Sequence, residues 1–378
     1  MFVQDFWRKH PKAVETMLLE GISRVDAARG LDLRVGLANA LINQWRFKEA
    51  RDIVAVALAE KPDHAAAHWC ETMLSFFMDD PWPAPWRKLE ARWALEITGE
   101  QLKLLRPWDG SPLNGKSILM VGEGGLGDEI QFVRFASTLK ARGASQVLVC
   151  TKSSKLVSLF QSISAADRVF SAKEARPKYD FDCPMLSLPG LLGTTLDTLP
   201  TAPYLRVSVD QVKAASRHFR KTPGKLNVGL FWRSNRPDKS IAPASFLPLA
   251  QVPDVEFFGL GERSILDQET VDLPFKITNL GCDIPSTAAI MDALDLVISV
   301  DTMGAHLAGS LGRPVWLIVH SLPDWRWPVS GATTPWYPSM RIFRQSGWGW
   351  DSVIQEIASQ LHAFNAGGSS RIAQRVAV

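Results

Sequence analysis

An α/β chain with two Rossmann-like halves behind an all-helical segment is what this sequence predicts. Three observations carry that expectation. Up to about residue 106, apolar residues recur at three- and four-residue spacing, the period of one helix face. Beyond "RPWDGSPLNGK" the pattern becomes short apolar runs separated by helical stretches, as in a parallel sheet wound with helices. That alternation breaks at a stretch rich in Gly, Pro and Thr, and starts again near residue 213.

In the first segment, "LRVGLANALINQW" and "FKEARDIVAVALAEKP" predict one helical pair, broken near Arg46. "HAAAHWCETMLSFFMDD" and "APWRKLEARWALEI" predict a second, broken by "PWP". The pairs stand about 34 residues apart, close to the tetratricopeptide period. Two such units fall short of the usual three, so the segment is expected to lean on the β/α region C-terminal to it. It serves either as a partner-binding surface or as a helical cap.

The first β/α series runs through "SILMV", "QVLVC", "RVFSA" and "YDFDCPM", and "LPGLLGTTLDTLPTAPYL" closes it. The second runs through "NVGLFW", "VEFFGL", "FKITNL", "DLVISVD" and "PVWLIV". "STAAIMDAL" and "TMGAHLAGSL" are helices between those strands. "WDSVIQEIASQLHAF" reads as a last amphipathic helix and "NAGGSSRIAQRVAV" as a loose tail. The expected divisions are 1–106, 107–212, 213–364 and a tail over 365–378.

Composition narrows the function. A net charge of +3 over 378 residues argues against nucleic-acid binding by bulk charge. Aromatic usage is skewed, with 14 Trp against 3 Tyr, which serves either a core or the stacking of ligands. Cys70, Cys150, Cys183 and Cys282 lie far apart and form no C-x-x-C pair, which argues against a zinc site or a redox motif. The start, "MFVQDFWRKHPKAVE", lacks a signal-peptide core, and no apolar run approaches the roughly 18 residues needed to span a bilayer. The expectation is a soluble cytoplasmic protein.

One motif poses a problem. Gly122, Gly124 and Gly127 spell G-x-G-x-x-G between a strand and a helix, the dinucleotide fingerprint. Asp128 and Glu129 come directly after it, and Asp128 would take the helix N-terminus that a pyrophosphate needs. The second strand ends in Thr151-Lys152 where NAD needs an acid, which speaks against NAD and leaves NADP open. A carboxylate at that helix start is stabilised in its anionic form by the amides and the dipole. It suits a general base, with glycines that admit a substrate to the backbone. It equally suits a plain helix cap.

The second half supplies a complement. "DLVISVDTMGAHLAGSLGRP" is a strand, an Asp-Thr turn and a helix whose first turn carries the small residues Gly304 and Ala305. That start can take an anion. Asp301 can cap the helix or hold a ribose hydroxyl. His306 can donate to a phosphate or serve as a structural histidine. Trp232, Arg233, Asn235 and Lys239 lie just past another strand's carboxyl end, where open α/β sheets bind ligands.

Taken together, "GGLGDEIQF", "FDCPMLSLPGLLGTTLDTLP", "VGLFWRSN", "DLVISVDTMGAHLAGSLGRPVW" and "PDWRW…TPWYPSMRIFRQ" resemble a known group. It is that of the bacterial tetratricopeptide proteins with a glycosyltransferase family 9, heptosyltransferase-like C-terminal region. The resemblance covers roughly residues 35 to 363. It implies a GT-B fold, with two Rossmann-like domains facing across a cleft. It also implies metal-independent, inverting sugar transfer from a nucleotide sugar to a protein or glycan hydroxyl, with no cofactor beyond that donor.

By the same resemblance Asp128 is the base, and Gly124, Gly125, Gly127 and Gln131 form the acceptor-side loop. Asp301, Thr302, Met303, Gly304 and His306 fall on the turn that holds the donor diphosphate, and Lys239 falls on the lysine after the Trp strand. Met303 stands where many relatives carry Gly or Ala, and "RSNRPDKSI" is shorter than the usual stretch. The competing readings are an inactive binding scaffold, an NADP oxidoreductase and a sugar-nucleotide epimerase.

Overall fold

The computed structural model describes residues 10–25, 27–95, 105–347 and 349–366. The expected tail therefore lies outside the described residues from 367 onward, as do the first nine residues. The chain divides into two compact units. One comprises residues 1–111 together with Leu186–Leu199 and Leu322–Ser330, and the other comprises the remainder.

The first unit is helical. Helices Pro11–Ile22, Ala27–Ile42, Phe47–Glu60 and Ala65–Phe77 succeed one another, each packed on the next. Pro11 takes the first helical position, where its missing N–H costs nothing. Ala50, Val54 and Ala57 recur at helical spacing and form the buried stripe of the third helix. At the start of the fourth, His64 Nδ1 accepts from the Ala67 N–H at 3.2 Å, so Nε2 carries the proton and donates to Asp32 at 3.0 Å. Trp45 and Asp79 turn the chain with φ of 63° and 54°.

One expected helix is different. The run from Ala84 is helical only to Lys88 and then tightens into a 3₁₀ helix over Leu89–Leu95. Three residues per turn put Leu89 and Arg92 on one side, and both are buried. Arg92 donates to Ser187 Oγ at 2.8 Å and Glu90 Oε1 at 2.7 Å. The two inserted segments complete this core. Trp325 packs on Phe76 at 4.7 Å and on Trp86 at 5.5 Å between ring centroids. Gly190 lies so close to Trp86 that a Cβ would stand 3.2 Å from its carbonyl oxygen.

The second unit holds two parallel sheets. The first has strands β1 (Ser117–Val121), β2 (Gln146–Thr151), β3 (Arg168–Ser171) and β4 (Phe181–Pro184), in the order β3-β2-β1-β4. The second has β5 (Leu226–Phe231), β6 (Val255–Gly261), β7 (Thr278–Gly281), β8 (Leu296–Val300), β9 (Val315–Val319) and β10 (Met340–Arg344). Its order, β10-β9-β8-β5-β6-β7, is the doubly wound Rossmann order. β10 was not among the expected strands. Its charged Arg341 and Arg344 and its approach through a Pro- and Trp-rich loop hide the apolar run, and pairing with β9 makes it a strand. Each sheet reverses its winding once, between β1 and β4 and between β5 and β8, and crevices open at the carboxyl ends of those strands.

The closing helix, Asp351–Ala366, seats Val353, Ile354, Ile357 and Leu361 in the core of the second sheet. Trp86, Trp232, Trp327 and Trp336 are among the largest fully buried side chains, so much of the tryptophan is core. No helix of the described residues is long and apolar enough to cross a membrane.

Replacing Trp86 by Ala should cost the helical unit about 3–5 kcal/mol, as for other large aromatics removed from cores. Urea melts monitored by circular dichroism will measure it. A loss below about 1 kcal/mol would show that the tryptophan cluster does not hold that unit together.

Candidate active site

Two helices start at the two crevices of the second unit. Leu126–Phe132 comes after β1, and Met303–Ser310 comes after β8.

The turn before the first helix is built by its glycines. Gly124 has φ of +70°, and a side chain there would collide with the Asp128 carboxylate. Gly122 donates its N–H to the Cys150 carbonyl at 2.8 Å, and a Cβ on it would run into the Glu129 carboxyl. Asp128 bends back and accepts the Gly125 N–H at 2.7 Å. It therefore does cap its helix, and it stays half-exposed at the mouth of the crevice. Gly124 and Gly125 are exposed beside it, while Gln131 is buried one turn further on.

Glu129 faces the other way. It is 1% exposed and reaches the end of β2, where its two oxygens accept the Lys152 N–H at 3.3 and 3.2 Å. Burial pushes its carboxyl up to about 7, held back by the Thr151 hydroxyl, the Lys152 amide and the Lys152 charge. In sequence Glu129 reads only as a second negative charge. Its burial is not legible there, because β2 supplies its partners. The two carboxyls at this helix start leave the glycine turn poorly suited to a pyrophosphate.

In the second half, Thr302 precedes the helix without giving it a side-chain cap. Lys239 forms a part-buried ion pair with Asp301, joining the loop after β5 to the loop after β8. Arg233 is exposed and paired with Glu269, which also accepts the Trp232 indole N–H at 2.7 Å. Trp232 itself is 1% exposed and belongs to the sheet core, so its ring is not presented to the crevice. Asn235 lies exposed on the same loop. Gly304 has a packing reason that sequence did not reveal: a Cβ there would stand 2.7 Å from the Phe231 ring.

The two helix starts meet. A Cβ on Gly127 would lie 2.8 Å from His306 Cδ2 and 3.6 Å from Met303 Cα, so only glycine allows this approach. His306 is buried, and its Nδ1 bonds the Tyr337 hydroxyl at 2.9 Å. Behind it sits Arg134, also buried. Its guanidinium donates to the carbonyls of Gln131 (2.8 Å), Pro200 (3.0 Å) and Trp336 (2.9 Å) and to the Tyr204 hydroxyl (3.1 Å). It lies 4.6, 5.3 and 4.8 Å from the ring centres of Tyr204, Trp336 and Tyr337. Several of these partners are far from Arg134 in sequence, which is why no local pattern singles it out.

No protein-family profile matches the chain. It is similar to Protein FlbA of Caulobacter vibrioides, 25% identical over 291 residues, which are 68% of this chain and 48% of that protein. The chain thus spans about half the length of that relative. Among solved structures it is similar to the ADP-heptose LPS heptosyltransferase II of E. coli, with TM-score 0.51 and 16% identity. The match covers 67% of this chain and 99% of that one. It is also similar to a glycosyltransferase of family 9 from Veillonella parvula, with TM-score 0.50 and 14% identity, over 67% and 91% of the two chains. At such identities the likeness concerns the fold, which is of GT-B type.

Glu129 makes stability depend on pH. Its folded value is raised from 4.5 to about 7, so the stability tied to its neutral form is complete below about 4.5 and lost as pH rises through about 7. Glu129→Gln removes the titration. Relative to that variant, the native protein should lose about 3 kcal/mol between acid and alkaline conditions, at 1.36 kcal/mol per pKa unit. Parallel urea midpoints for the two proteins across this range would contradict the shift.

Proposed function

We propose that the chain is an inverting, metal-independent glycosyltransferase that moves a sugar from a nucleotide sugar to a hydroxyl of a protein or glycan. One observation supports it above the others: two helix starts from opposite Rossmann-like halves touch at Gly127 and His306. One carries a half-exposed carboxylate, and the other is uncapped at Thr302 beside a lysine.

In this reading residues 107–212 take the acceptor and residues 213–364 take the donor. The acceptor hydroxyl approaches over Gly124 and Gly125. Asp128 accepts its proton while the oxygen attacks the anomeric carbon from the face opposite the leaving group. The bond from that carbon to the diphosphate oxygen breaks, and its electron pair leaves with the nucleoside diphosphate. The first-turn amides of the Met303 helix and the Lys239 ammonium meet that charge. Lys239 exchanges Asp301 for phosphate when the donor binds. The helical segment takes no part in the chemistry. ADP-linked sugars are the first donors to test, since the E. coli neighbour is named for ADP-heptose.

Asp128→Asn retains size and capping ability but cannot take the proton. Sugar transfer should fall on the order of 10²–10⁴-fold, with nucleotide binding retained in calorimetry. A transfer rate close to that of the native protein would remove Asp128 from the mechanism.

Lys239→Ala should weaken binding of the nucleoside diphosphate more than that of the bare nucleoside. Equal losses for both ligands would put the ammonium away from the phosphates.

A further inference from the structure

Three ties join the glycine turn to the end of β2. Gly122 N–H donates to the Cys150 carbonyl at 2.8 Å. The Lys152 ammonium stands 3.5 Å from the Gly124 carbonyl oxygen. Between them the Glu129 carboxyl spans from the face of Gly122 to the Lys152 N–H and the Thr151 hydroxyl. Only the middle tie is made by a carboxyl that accepts with both oxygens. We infer that Glu129 is a positioning residue for the transfer proposed above: its carboxylate braces the turn against β2 and so orients Asp128. The inference rests on that reading of Asp128.

The chemistry of the carboxyl supports it. Ionised, both oxygens are acceptors and both face the Lys152 N–H. Glu129→Gln leaves one acceptor where the carboxylate has two and puts an N–H donor in place of the other. The charged and titratable groups around it are few. Lys152 favours the carboxylate, and its neighbour Asp128 opposes it. The buried thiol of Cys150 lies on β2, with the charges of Arg176 and Glu174 beyond it. Burial raises the Glu129 carboxyl, and the Thr151 hydroxyl and the Lys152 amide and charge act against it. The turn positions whose side chains would run into the two carboxyls are Gly122, against Glu129, and Gly124, against Asp128. A shift of the Glu129 carboxyl is therefore transmitted to the backbone that holds Asp128.

Hydrogen exchange on the full chain tests the brace without any substrate. Peptides covering residues 122–128 and 150–155 should exchange faster in Glu129→Gln than in the native protein at one pH. Donor turnover supplies the second measurement. Glu129→Gln should turn over more slowly than the native protein, on the order of 10²-fold for a misplaced base. Thr151→Val, which removes only the hydroxyl partner of Glu129, should speed exchange in the same peptides.

Identical exchange in native protein and Glu129→Gln overturns the inference, and so does an unchanged turnover rate in the variant. If exchange behaves as expected and neither protein turns over any nucleotide sugar, the brace stands and the transferase reading falls.

Discussion

The cleft depends on the absence of a side chain at Gly127. Two helix starts, one from each Rossmann-like half, approach until a single added carbon would overlap the His306 ring. Helix starts carry partial positive charge, so bringing two together is unfavourable in itself. Asp128 at one start offsets that charge, and packing behind the helices supplies the rest. Arg134 is central to that packing. A buried guanidinium is costly unless its donors are met, and here carbonyls, a hydroxyl and three aromatic faces meet them. The arginine joins the Leu126 helix to the connection between the halves and to the approach to β10. The same residues that close the molecule thereby set the distance between Asp128 and the Met303 helix.

Asp128 and Glu129 are adjacent acids with opposite surroundings. Asp128 is half-exposed and accepts a backbone amide of its own turn. Glu129 is sealed beneath the turn, and burial moves its ionisation towards neutrality. Pairs of acids separated in this way recur where one group performs chemistry and the other controls its setting. A helix produces the separation without further design, since consecutive residues point about 100° apart. One faces the crevice and the next faces the sheet.

The helical unit illustrates a different constraint. Its helices have apolar faces but are too few to bury them alone. Leu322, Trp325 and Val329, far along the chain, pack on the same core as the first four helices. Leu186–Leu199 joins them from the connection after β4. Compactness here is a property of segments widely separated in sequence.

Local pattern was enough for most of the architecture. Strands β1 to β9 stand where apolar runs stand in the sequence, because a buried parallel strand is apolar along most of its length. The helix starts after β1 and β8 were legible for a similar reason, since glycine and small residues at a strand–helix turn have few other uses. The sequence also marked Asp128 and the Asp301–His306 stretch as a pair of facing features. What it could not reveal were contacts between distant residues. Trp232 read as a ligand-facing ring, and only the sheet places it in the core against Glu269. Gly304 read as room for an anion, whereas Phe231 fills the space beside it. β10 needed β9 to become a strand, and Glu129 needed the end of β2 to become a buried acid. In each case the deciding partner comes from another strand or loop, and burial or pairing across that distance is a property of the folded chain rather than of any local stretch.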